Sequence, residues 1–164
     1  MMYRIEKVLN HNTVIAIHQD DHKEVLIMGK GVGFGRKVAE RIEVRPEDRL
    51  YSLQKYKERG GAKEIVKSIA PEFLELTNAV LDEAEKVFGK IDRMVLFPLA
   101  DHIAFAVKRI QNHEQISNPL TEDIRVLFHM EFKVAESIRP LLKKQFQIEI
   151  EDDEIGYVAL HILS

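Results

Sequence analysis

Two groups of residues in this 164-residue chain have the types and spacing to do chemistry. The first is the run Met28-Gly29-Lys30-Gly31-Val32-Gly33-Phe34-Gly35-Arg36-Lys37. It holds four of the eight glycines at alternate positions, with one aromatic ring and three cations among them. Glycine at this density gives the backbone unusual φ values or lets another group approach it closely. A phosphate cradle is the first chemistry to test, and the spacing rejects it. The run has neither G-x-x-x-x-G-K-[ST] nor G-x-G-x-x-G, because Phe34 and Arg36 stand where a third glycine is needed. Charged, extended or irregular chain follows over 38–50, where a nucleotide loop would open a helix. What remains is a sheet edge or hairpin with bare backbone, an exposed ring and a basic collar.

The second group is the histidines, at 11, 18, 22, 102, 113, 129 and 161. No pair within one predicted helix has i, i+3 or i+4 spacing, so no metal site is expected. The chain has no cysteine, which excludes thiolate ligands and disulfides and suits a reducing compartment. His102 follows Asp101, and Glu154 lies seven residues before His161, two helical turns away on the same face. Read singly, each of these histidines is either a satisfied, partly buried side chain or a functional one.

The elements that must hold these groups differ between the two parts of the chain. Residues 3–50 alternate in polarity, with strand candidates at the N-terminus, at Thr13–His18 and at Glu24–Met28, shorter ones within Glu40–Val44 and Leu50–Leu53, and a tight turn at Asn10-His11-Asn12. Strands this short need a second chain or a neighbouring face to complete a core, which invites a homodimer. Past Lys57-Glu58-Arg59-Gly60-Gly61 the period is helical. Apolar residues from Ile65 to Phe88 form one stretch, and a second helix spans about Leu99 to Asn112. A third has Thr121 as N-cap and a kink at Pro140, and the last runs from Glu151 to Leu163 with acids at its positive end. The expected class is α+β: a small antiparallel sheet or barrel-like dimerising domain over 1–57, a linker at 58–63 and an all-α bundle over 64–164.

Bulk properties narrow the function classes. Residues 1–57 carry eleven Lys/Arg against eight Asp/Glu, a net of +3, and the rest of the chain nets −6. This split is compatible with a polyanion-binding module joined to a controller. No run reaches 18 apolar residues and the N-terminus lacks a signal-peptide core, so a cytoplasmic protein without membrane insertion is expected.

Four separated pieces together carry a resemblance: Lys7-Val8-Leu9-Asn10-His11-Asn12, the glycine run to Phe34, Leu99-Ala100-Asp101-His102-Ile103, and Glu154-Ile155-Gly156-Tyr157-Val158-Ala159-Leu160-His161-Ile162. In this order and spacing the chain resembles the BglG/LicT-type transcriptional antiterminators. The resemblance implies a co-antiterminator RNA-binding domain followed by a phosphotransferase-system regulation domain. The family continues into a second such domain, where this sequence ends at Ser164.

The implied activity is binding of a leader mRNA hairpin of a sugar-utilisation operon by a homodimer. The implied contacts are Lys7, Asn10, Asn12, Gly29, Lys30, Gly31 and Phe34. Glycine backbone would face sugar and phosphate, Phe34 would stack on an unpaired base, and the asparagines would read base edges with donor and acceptor together. Lys30 stands where some relatives carry arginine, so a point charge would replace a planar fork. For the asparagines a turn role stays open from the residues alone, as does a core role for Phe34.

The resemblance also implies phosphorylation of His102 and His161 by phosphocarrier proteins and the sugar permease of the phosphotransferase system, with Asp101 and Glu154 as neighbours. No cofactor and no catalysis are expected. The alternative is a DNA-binding regulator with the same kind of helical domain, but no recognition helix is visible in the first 57 residues and no DNA partner is expected. A third reading makes the two histidines acid/base or phosphoryl-transfer residues of an enzyme.

Overall fold

The computed structural model describes residues 1–53, 61–114 and 116–163. The chain divides into two compact units, Met1–Pro71 and Glu72–Ser164. The fold class is α+β. The expected linker at 58–63 falls outside the described residues for its first three positions.

The first unit is one antiparallel sheet of five strands: β1 (Met2–Asn10), β2 (Thr13–His18), β3 (Glu24–Met28), β4 (Arg41–Glu43) and β5 (Arg49–Ser52), in the spatial order β4-β1-β2-β3-β5. Alternation decides its core. Tyr3, Ile5, Val14, Ala16, Val25, Ile27 and Ile42 are buried together, joined by Val32 from the glycine run. Register shifts interrupt the β1–β2 ladder between Ile5 and Lys7 and between Val8 and Asn10. Extra residues at such bulges twist a strand and re-aim its side chains, and Lys7 is exposed there. A short helix, α1 (Ala62–Ser68), belongs to this unit, and its Lys63 Nζ donates to Glu24 Oε1 at 2.7 Å.

The helical stretch expected from Ile65 to Phe88 is two helices, α1 and α2 (Pro71–Phe88). Proline disfavours the α region for the residue before it, and its missing N–H is harmless at a helix start. The residue so restricted is Ala70; Ile69 before it, the C-cap of α1, is already extended with φ −115° and ψ 157°, and Pro71 opens α2. After a 3₁₀ turn at Arg93–Val95 comes α3 (Leu96–Gln111).

The single helix expected from Thr121 is three: α4 (Thr121–Leu127), α5 (His129–Ala135) and α6 (Ile138–Phe146). Phe128 leaves the helical region at φ −125°, ψ 53°, although its N–H still reaches Ile124 and its carbonyl still accepts from Phe132. A helix that bends at one residue keeps its three- and four-residue apolar spacing, which is why the break was invisible in the pattern. Pro140 sits in the first turn of α6, where no N–H is needed, so it starts a helix and does not kink one. Thr121 is not an N-cap. Its hydroxyl donates instead to Asp153 Oδ1 at 2.6 Å, on α7 (Asp152–Leu163).

Candidate nucleic-acid face and paired histidines

The glycine run is neither strand nor hairpin but a series of tight turns pinned to the tip of the β1–β2 hairpin. Gly29 N–H donates to Asn12 O at 3.0 Å and Gly33 N–H to His11 O at 2.8 Å. Gly31 N–H donates to the side-chain Oδ1 of Asn12 at 2.8 Å. The three N–H groups expected to meet sugar and phosphate are therefore spent within the unit. The absence of side chains has a different cause from the one expected. A Cβ on Gly33 would lie 2.3 Å from Asn10 O, and one on Gly29 would lie 1.9 Å from Asp48 Oδ1. Both are packing requirements. Gly31 faces open space but holds a left-handed φ of +73°.

Asn10 and Asn12 prove to be turn residues whose side-chain oxygens work inward. Asn10 Oδ1 accepts from Asn12 N–H at 2.9 Å, and Asn12 Oδ1 holds Gly31. The acceptor half of the expected donor-and-acceptor readout is thus occupied. Phe34 is not core: it is 66% exposed, with the His11 ring edge-on at 5.0 Å. Lys30 is exposed, and its carbonyl accepts from Arg45 Nη2 at 2.8 Å. Arg45 in turn grips Asp48, whose side chain is fully buried, at 2.8 Å. Sequence reasoning missed this Arg45–Asp48 clamp and the His11 support. The Arg45-Pro46-Glu47-Asp48 turn chemistry was the only available signal for the clamp. Arg36 is occupied by Glu40.

In the second unit α3 brings His102 and α7 brings His161 to a ring separation of 4.9 Å, with an interplanar angle of 37°. Tyr157, one turn before His161, has its ring 6.1 Å from His102. His161 Nδ1 lies 2.9 Å from the Tyr157 carbonyl oxygen. A carbonyl only accepts, so neutral His161 carries its proton on Nδ1 and its lone pair on Nε2. Burial holds its pKa below the ordinary value, and the charge of His102 adds to this, against the opposing bond to Tyr157. The neutral, nucleophilic form is therefore the favoured one.

Glu154 is completely buried beside His102. Arg109 Nη2 donates to its Oε1 at 2.7 Å, while its Oε2 stands 3.5 Å from His102 Nε2. At that length the second contact is electrostatic attraction and not a hydrogen bond, and both atoms lack a hydrogen-bond partner. Burial pushes the Glu154 carboxyl up, yet His102 and Arg109 together outweigh it and leave its pKa below the usual value. Asp101 is exposed and enters none of these contacts. Of the cations on or just before α3, Arg109 reaches this site, Lys108 is exposed, and Arg93 is held by Asp82, Glu85 and Asn78.

A tied-down loop carrying an exposed ring is thus followed in sequence by a helical unit with a buried carboxylate beside a histidine pair. Residues 3–60 match the CAT RNA binding domain model and residues 75–164 the PRD domain model. The chain belongs to the BglG-type antiterminator family built from these two domains. It is 34% identical to the GlcA/glcB genes antiterminator of Staphylococcus carnosus and 29% identical to protein GlcT of Staphylococcus epidermidis, over 99% of this chain and 57% of each relative. The chain thus spans a little over half the length of these curated relatives. The crystal structure of GlcT CAT-PRDI superposes with a TM-score of 0.81 at 29% identity, covering 99% of this chain and 97% of that one.

Proposed function

We propose that this chain binds a leader mRNA hairpin of a sugar-utilisation operon, as a homodimer through its sheet unit, and stabilises that hairpin against a terminator. Lys7, Asn10, Asn12, Gly29, Lys30, Gly31 and Phe34 form the contact face. The observation that carries this reading is Phe34, a large ring 66% exposed on a loop made rigid by its own hydrogen bonds. An RNA internal loop offers unpaired bases for such a ring, and the wide minor groove of A-form RNA admits the small residues around it.

The helical unit acts as the controller. His102 and His161 accept phosphoryl groups from phosphocarrier and permease components of the phosphotransferase system, and the chain itself catalyses nothing. A phosphoryl group adds up to about two negative charges. Arriving beside the buried Glu154, it repels that carboxylate and competes with it for Arg109. This rearrangement at α3 and α7 shifts whether the sheet unit pairs with that of a second chain.

Filter binding of a leader-RNA hairpin tests the first half of the reading. Phe34→Ala should weaken binding by about 1–3 kcal/mol, the range for base–aromatic stacking, with the melting temperature unchanged. Wild-type affinity in that variant would remove the ring from the RNA face. Phosphotransfer from purified phosphotransferase components to His102→Ala and His161→Ala variants, taken singly, tests the second half.

A further inference from the structure

At the far end of β1 from the Asn10 turn lies a second basic site that the RNA motif does not include. Arg4 stands six residues before Asn10, roughly 20 Å along an extended strand. It pairs in register with Arg41 of β4 on one side and with Ile17 of β2 on the other. Arg4 and Arg41 are both exposed, and neither side chain enters a hydrogen bond or ion pair among the described residues. Like charges directly opposed across strands are destabilising. An arrangement that keeps two unpaired guanidinium groups in register is one that a bound anion relieves.

These residues line a cavity of about 150 Å³ together with His18, Gln19 and His22. None of its lining side chains is acidic. The β2–β3 turn brings His22 there, while the His18 ring turns to the other face of the sheet, 5.0 Å from the Tyr3 ring. His22 holds a left-handed φ of 58°, uncommon for a residue with a side chain, and its N–H closes the turn on His18 O at 3.0 Å. His18 Nδ1 is tied to Asp21 Oδ1 at 3.0 Å, and that same oxygen accepts from Lys23 N–H. The nearby carboxylate is thereby committed within its own turn. The cavity is smaller than the roughly 300–1,000 Å³ of pockets that hold organic ligands. Two planar forks, an amide and the His22 imidazole around such a volume match a single tetrahedral oxyanion, since guanidinium groups bind phosphate through paired N–H donors.

We propose that the Arg4–Arg41–His22 cavity binds one phosphate group, supplied either by a small phosphate ester or by a phosphodiester of an RNA arm running beyond the Phe34 contact. The free-phosphate arm stands without the RNA reading; only the phosphodiester arm rests on it.

The test uses the full chain, isotopically labelled and titrated with inorganic phosphate at constant ionic strength. The amides of Arg4, Gln19, His22 and Arg41 should shift and saturate. The Arg4→Gln/Arg41→Gln double variant should bind phosphate at least about tenfold more weakly, because two charge-assisted donor pairs are lost. Removing opposed like charges should leave the melting temperature unchanged or raised. If the double variant does not fold, Arg4→Gln alone should show an intermediate loss. In parallel, RNA affinity across a salt series separates the sources. A slope smaller by roughly one to two in the double variant assigns the phosphodiester, and an unchanged slope with saturable phosphate shifts assigns the small ester. Shifts that match a chloride control, together with an unchanged slope, would overturn the proposal.

Discussion

Around the glycine run, the N–H groups of Gly29, Gly31 and Gly33 all end on the turn formed by His11 and Asn12. Around the histidine pair, three buried polar atoms have no hydrogen-bond partner: His102 Nε2, Glu154 Oε2 and Arg109 Nε. The glycine loop of the sheet unit spends these three N–H groups on its own hairpin and leaves the Phe34 ring to the solvent. The helical unit has buried charge and left part of it unsatisfied. An unpaired polar atom in a low-dielectric interior costs on the order of 1–3 kcal/mol. A site that carries such atoms sits close to an alternative arrangement, whereas a loop pinned by three N–H groups to its own hairpin resists one. The contrast separates a surface built to stay fixed from a cluster on which, in the proposed function, added charge would act.

The sharpest way to break this contrast is to remove the buried acid. Glu154→Ala leaves Arg109 without its partner and should destabilise the helical unit by about 3–5 kcal/mol, the range for an orphaned buried charge. Chemical denaturation reads this directly, and a loss below about 1 kcal/mol would show that water reaches Arg109 freely. In the sheet unit Gly33→Ala should cost roughly 2–3 kcal/mol, since its Cβ would meet the Asn10 carbonyl and backbone cannot swing aside as a side chain does. Gly31→Ala meets nothing within 4 Å and should cost only about 1–2 kcal/mol, for its left-handed φ alone. Equal costs at the two glycines would mean that the loop is not pinned to the hairpin.

The smallest expected effect is on pH dependence. The folded pKa of His161 lies below its ordinary 6.5, and that of Glu154 below 4.5. In both cases the unfolded chain binds protons first as pH falls. His161 therefore contributes its stability fully above pH 6.5 and loses it on acidification toward its folded pKa, with Glu154 adding its own loss below 4.5. Melting temperatures from pH 7.5 to 5.5 should fall, and His161→Gln should flatten that decline. A decline of the same size in the variant would assign the effect to other groups.

Much of this molecule was legible in the sequence, for reasons that differ by element. The β-branched run Thr13–His18 and the apolar run to Met28, separated by Asp20-Asp21-His22, placed β2 and β3, since short apolar runs bounded by turn residues read as strands. The class, α+β, followed from the change of period near residue 60. Periodicity failed where chain direction changes without loss of spacing, at Ile69–Pro71 and at Phe128. Pro71 and Pro140 were visible, but whether a proline starts a helix or bends one depends on the turn it occupies. Bringing His102 within 4.9 Å of His161 needed tertiary contact between α3 and α7. Glu154 was named from its spacing on a helix face, while its pairing with Arg109, 45 residues earlier, had no local signal. The glycine run was the reverse case. Its composition announced close approach, but the approaching groups are Asn10 O and Asp48, supplied by the chain itself.

The bond from Gly31 to Asn12 Oδ1 has a consequence for discrimination between bases. A carboxamide whose oxygen is turned inward offers its NH₂ group to whatever faces it. Against an RNA minor groove such a residue rewards acceptor edges, purine N3 and pyrimidine O2, and disfavours an amino group in the same place. On the proposed RNA face, the hydrogen bond that stiffens the loop would also choose the sign of the question Asn12 asks of a base. Asn12→Asp would keep the tie to Gly31 while replacing the outward donors with a second acceptor, so a fold left intact would sit beside an inverted preference.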